Sequence, residues 1–187
     1  MSDLYKRENT LALLHEFTKT DGLRRHAYAV EAAMLAAARR TGAEEENWGA
    51  VGLLHDFDYE QYPEAPDHPL KGAEILRERG YPEEFVRTIL SHASYTGVPR
   101  ENDCSRWLFA VDELCGFCMA CAMVQPDKKI AQVKVKSVKK KLKKKDFAAK
   151  VNRDDIQEGA ADLDLELPEV IEHVLGALCG VSDALEL

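Results

Sequence analysis

Residues 21–42 read DGLRRHAYAVEAAMLAAARRTG. Leu23, Ala27, Val30, Met34, Ala37 and Ala38 recur at steps of three and four, Asp21 stands where an N-cap would, and Gly42 stops the run. That spacing predicts an amphipathic helix of about five turns. The same period continues outward. Trp48, Val51, Leu54 and His55 form a shorter stripe, followed by a loop, FDYEQYPEAPD, over 57–67. HPLKGAEILRERG (68–80) has Pro69 where a first helical turn tolerates it and Gly80 at the exit. PEEFVRTILSHA (82–93) repeats the pattern, GVPREND (97–103) is a second loop, and an apolar helix is predicted over 104–124, ended by Pro126. Beyond it, QVKVKS alternates like a strand, but Val135, Val138 and Leu142 fit a helix better. A short capped helix over 152–163 and a final one from near Pro168 complete an all-α bundle without internal repeats.

At 187 residues the chain is long enough for one domain with a substantial core, and two would be crowded. We therefore expect a single domain over 1–187. Its 45% hydrophobic and 31% charged residues exclude a disordered or membrane-embedded chain. No apolar run approaches the ~18–20 residues that span a bilayer, and MSDLYKRENT lacks the apolar core of a signal peptide, so the cytoplasm is the expected location. Cys115, Cys118 and Cys121 lie too close along the chain for a disulfide framework and suit small apolar positions in a helix. Charge is segregated. Residues 128–145 hold ten lysines and no acid; removing that +10 from the net −8 leaves the rest of the chain at −18.

Polar residues interrupt the apolar faces at a few places. His26 lies in the first stripe between Leu23 and Val30, His55 shares the face of Val51 and Trp48, and Asp56 borders that face. Asp112 follows Leu108 by four and precedes Cys115 by three. One histidine on an apolar face is ordinarily a satisfied core residue. Two carboxylates are different, because an ionised Asp taken from water costs several kcal/mol unless a cation or several donors meet it. A divalent ion held by two imidazoles and two carboxylates would satisfy all four groups, and pairing with Arg24, Arg25 or Arg106 is the alternative. His15 and His173 read as ordinary helix-surface residues.

His26, the doublet His55-Asp56 and Asp112 on a later helix resemble the ordered H…HD…D pattern of the HD-domain superfamily, over roughly residues 20–125. That resemblance implies an all-helical HD-domain bundle and a metal-dependent phosphohydrolase. HPLKGAEIL and ILSHASY are similar to the segments of binuclear members that give histidines to a second ion, which would make His68 and His92 further ligands. His68, just before Pro69, stands where an N-cap would, and His92 shares a face with Phe85 and Ile89. The HD-GYP branch reads HHE where this chain reads SHAS, and its Gly-Tyr-Pro follows that histidine, whereas RGYPEE (79–84) precedes His92. Cyclic dinucleotide phosphodiesterase activity is therefore not assigned.

The implied cofactor is one or two divalent transition ions, with Mn, Fe, Co, Ni and Zn fitting equally. A bound ion lowers the pKa of water and polarises phosphoryl oxygens, so no protein nucleophile is needed, and Asp56 would bridge two ions. The expected substrate is a nucleotide or another small phosphate ester. Arg25 and Lys71 are the nearest candidates to bind its phosphate. Asp58 and Glu60, with Asp56 and Lys71, are the candidate catalytic groups, placed to orient water or take a leaving-group proton. The lysine run has three readings: a solvated helix face, a lure at the mouth of the active site, or a surface for nucleic acid or anionic membrane. Nucleic acid is disfavoured by the acidity of the rest of the chain and the lack of interleaved aromatics before Phe147. Two other functions remain open: a di-iron HD-type oxygenase, and a nucleic-acid-binding module without catalysis. The last third of the chain offers a surface for a homodimer or a cap over the site.

Overall fold

Each apolar stripe leaves its helix one face to bury, and in a computed structural model, which describes residues 2–187, those faces meet in one contiguous core. In chain order the helices are α1 (Ser2–Tyr5), α2 (Arg7–Phe17), α3 (Asp21–Thr41), α4 (Glu45–Leu54), α5 (Asp67–Glu78) and α6 (Glu83–Leu90). They continue with α7 (Asp103–Met123), α8 (Val135–Leu142), α9 (Arg153–Asp162), α10 (Leu167–Cys179) and α11 (Ser182–Leu185). There is no strand among the described residues. The two 21-residue helices, α3 and α7, form the spine. α3 packs along α4, α7 and α10, while α9 lies on α7 and α6 on α5.

Glycines set the closest approaches. A Cβ at Gly52 would stand 2.9 Å from the Val30 carbonyl and the Glu31 Cα, so α4 sits against α3 only because that side chain is missing. A Cβ at Gly159 would meet the Ala110 Cα at 2.5 Å, which fixes α9 on α7. Gly159→Ala is expected to destabilise the fold by about 1–3 kcal/mol through overpacking. Chemical denaturation at unchanged m-value would show it.

The lysine segment contains no strand. A 3-10 turn at Ile130–Gln132 leads into α8, with Ile130 and Val138 buried and every lysine but Lys141 exposed; Lys141 lies 4.5 Å over the Phe147 ring. Cys115, Cys118 and Cys121 are free, fully buried thiols on α7, and burial pushes Cys121 up to about 11. His173 is not a plain surface residue: it is half-buried, donates its Nε2–H to the Ala33 carbonyl and packs at a tilt against the Trp107 ring. No helix of the described residues is long and apolar enough to cross a membrane.

Candidate metal centre

Five chain segments deliver the polar residues to one place. His26 projects from the second turn of α3 and Asp112 from the middle of α7. His55 caps α4, and Asp56 and Asp58 follow in the turns after it. His68 is extended (φ −77°, ψ 136°) ahead of the regular part of α5. His92 is not on the face of α6; it lies in the turn beyond Ser91, the residue that ends that helix.

Three of the four histidines have one nitrogen committed. His55 Nδ1–H donates to the Gly52 carbonyl (2.8 Å), His92 Nδ1–H to the Ile89 carbonyl (2.6 Å), and His68 Nδ1–H to Asp58 Oδ1 (2.9 Å). A neutral ring in each case leaves a lone pair on Nε2. Those lone pairs converge on Asp56. His68 and His92 place Nε2 3.2 Å from Asp56 Oδ1, while His55 and His26 stand 3.6 and 4.0 Å from the other oxygen, Oδ2. Asp112 Oδ1 lies 3.0 Å from His26 Nε2 and 3.4 Å from His55 Nε2. The result is two overlapping clusters, His26-His55-Asp56-Asp112 and Asp56-His68-His92, each with the separations of a metal-ligand set.

Bonds of about 2.1 Å place neighbouring ligand atoms about 3.0 Å apart on an octahedral ion and about 3.4 Å apart on a tetrahedral one. The observed separations run from 3.0 to 4.0 Å, and all but the His26–Asp56 one, at 4.0 Å, lie within 3.0–3.6 Å, close to those edges. His55 Nε2 is the clearest test of fit: the residue is 0% exposed and that nitrogen has no hydrogen-bond partner. A buried lone pair without a donor is costly, and a cation satisfies it. Without an ion, protons do the same work. Burial opposes the charge on His55 and His68, but the Asp56 carboxylate, with Asp112 and Asp58 respectively, overrides it and lifts the rings to about 9 and about 10.

The structure corrects the roles expected of four neighbours. Asp58 is 1% exposed, and both oxygens are taken, one by His68 and the other by the Gly72 N–H at 2.9 Å. Sealed in this way it does not face the cavity, and it fixes the orientation of the His68 ring. A Cβ at Gly72 would strike that carboxylate at 2.7 Å, so the glycine belongs to the same device. Glu60 accepts from the Lys19 and Thr20 backbone N–H groups (2.6 and 3.0 Å) and from Thr20 Oγ1, which makes it an anion at the N-terminus of α3 rather than a catalytic group. Arg25 is engaged by Glu186 at 2.5 Å and Lys71 by Glu74 at 2.9 Å, and neither lines the cavity. Asp58→Asn is expected to weaken metal binding about 10–100-fold, as for other partners that orient a ligand. Calorimetric titration of the chelated variant would measure it.

Beside the clusters opens a cavity of about 640 Å³, lined by His26, Asp56, His68, His92 and Asp112 and, on its far wall, by Phe109, Glu113, Asn152 and Asp155. None of the ten lysines of 128–145 lines it, so they do not form its wall. Tyr95, also lining it, donates its hydroxyl to the His68 carbonyl at 2.6 Å and so braces the His68 backbone. Burial, then the Asp112 charge, pushes Glu113 up to about 7. Tyr95, Asn152 and Asp155, in loops or a first turn, and Glu113, in the middle of α7, had no signal in the sequence pattern. The family model described as HD domain matches residues 23–114, a span that contains all six candidate ligands. Comparison with curated proteins and with solved structures gave no match.

Proposed function

We propose that this chain, which belongs to the HD-domain superfamily of metal-dependent phosphohydrolases, hydrolyses a small phosphate ester at a centre holding two divalent ions. One observation carries the reading: the two oxygens of Asp56 face two different sets of imidazole nitrogens, His68 and His92 on Oδ1, His26 and His55 on Oδ2. A bridging carboxylate is what a two-ion site requires. His26, His55 and Asp112 would hold one ion with Asp56, and His68 and His92 the other. When bound, such ions supply Lewis acidity towards phosphoryl oxygens and bring the pKa of water towards neutrality. The chain's own part is positional. Asp58 and the Gly52 and Ile89 carbonyls fix the ring orientation of three ligands, Tyr95 braces the backbone of His68, and the cavity admits a ligand of metabolite size. Imidazole with carboxylate suits Mn, Fe, Co, Ni or Zn.

The test is metal content and phosphate release on one sample. Protein purified without chelators is expected to hold two transition ions per chain and to release phosphate from p-nitrophenyl phosphate. Chelation should abolish the activity and re-addition of metal restore it. Two bound irons in a coloured protein inert to every ester would replace this reading with an O₂-using centre.

A further inference from the structure

Phosphate sites ordinarily recruit Arg or Lys. Among the described residues that line this cavity there is neither. Arg100 lies 3.7 Å over the Phe109 ring of its wall, but it is already claimed by Glu158 and, at 2.6 Å, by Asp162. The wall away from the histidines carries Glu113 and Asp155 instead, partly buried and with no ion-pair partner among the described residues. The cavity is therefore polarised. One end, lined by His26, Asp56, His68, His92 and Asp112, is built to gather positive charge, and the other carries two carboxylates with no ion-pair partner among the described residues.

We infer that the substrate is a zwitterionic phosphomonoester, its phosphoryl group at the Asp56 end and a protonated amine on its alcohol portion against Glu113 and Asp155. The inference rests on the phosphohydrolase reading above and names the substrate class for that site. An ammonium between two partly desolvated carboxylates makes charge-assisted hydrogen bonds, whereas a neutral group leaves the carboxylates unmet. A nucleotide would bring further negative charge to the acidic wall and be repelled. In the reaction, the oxygen of water forms the new bond to phosphorus and the ester P–O bond breaks. A proton from that water passes to the departing alkoxide, giving an amino alcohol and inorganic phosphate.

The experiment uses the full, metal-loaded chain and compares phosphoethanolamine with ethyl phosphate, its analogue without the amine, with p-nitrophenyl phosphate as a general reporter. The amine ester is expected to show a kcat/KM about 30-fold higher, the size of one or two charge-assisted contacts. Calorimetry without turnover should show the same order, 3-aminopropylphosphonate binding tighter than propylphosphonate. In Glu113→Gln and Asp155→Asn the preference should fall about tenfold, with metal content checked in the same samples. Equal values for the two esters in the wild type, with p-nitrophenyl phosphate hydrolysed, overturn the inference and leave the hydrolase standing. If the metal-loaded wild type releases phosphate from none of the three, the hydrolase reading fails and takes the inference with it. Variants that lose metal are set aside, and the wild-type ester and phosphonate pairs decide.

Discussion

Asp56→Ala is expected to lower bound metal from two ions per chain to fewer than one and to cut phosphate release by about 10³-fold or more. The reason lies in the sharing. Asp112 serves one cluster, and His68 and His92 serve the other, but Asp56 has an oxygen in each. Loss of the carboxylate would remove a ligand from both ions and leave four imidazoles with Asp112 beside two of them and Asp58 bonded only to the far nitrogen of His68. A 10³-fold loss corresponds to about 4 kcal/mol of transition-state stabilisation, the scale that metal centres supply. His92→Ala serves as the comparison, since it touches only the second cluster. It should reduce the stoichiometry towards one ion while the first stays bound. Elemental analysis and a phosphate-release assay on the three proteins check both statements. Equal metal content in Asp56→Ala and wild type would show that this carboxylate bridges nothing.

The helical period makes the convergence of these residues legible because it constrains where side chains go. His26 and Asp112 lie on stripes whose apolar members are buried, and burial of Val30, Met34, Leu108 and Cys115 carries the polar members inward with them. The doublet at the end of α4 and the histidines flanking α5 and α6 were legible through their pattern. What the pattern does not encode is hydrogen bonding across loops. Asp58 and Glu60 sit two residues apart in one acidic turn, yet one is sealed against His68 and Gly72 while the other reaches back to the start of α3. Charge next to a ligand in sequence is equally poor evidence of charge in the site: Arg25 neighbours His26, but successive helix residues diverge by about 100°, and its guanidinium goes to Glu186. Asn152 and Asp155 of the far wall come from α9 and its cap, some forty residues beyond Asp112, brought there by a glycine contact between α9 and α7. No periodicity reports a contact of that kind.

Chelation should make stability strongly dependent on pH. In the metal-free fold His55 and His68 hold protons up to about 9 and about 10, above the ordinary 6.5, because Asp56 and its neighbours outweigh the burial that opposes charging. A raised folded-state pKa stabilises the fold fully below about pH 6.5, and the contribution is lost as pH rises through the folded values. Asp56 and Asp112 move the other way: burial opposes their charge, but His55 and the other rings hold both below the ordinary carboxylate value, so their contribution is present above about pH 4 and lost in acid. The chelated protein is thus most stable between about pH 4 and 6.5. Because both rings share Asp56 their contributions do not add, and the chelated protein is expected to lose several degrees in Tm as pH rises through the two values. A metal held by these rings would replace those protons on Nε2, so its affinity is expected to grow as pH rises. The difference in Tm between metal-loaded and chelated protein should therefore widen steadily from pH 6.5 to 10. Thermal melts of both forms across that range measure it. A chelated protein whose Tm stays flat, or a difference that narrows with pH, would mean that the rings around Asp56 are neutral without metal and that protons and metal do not compete for them.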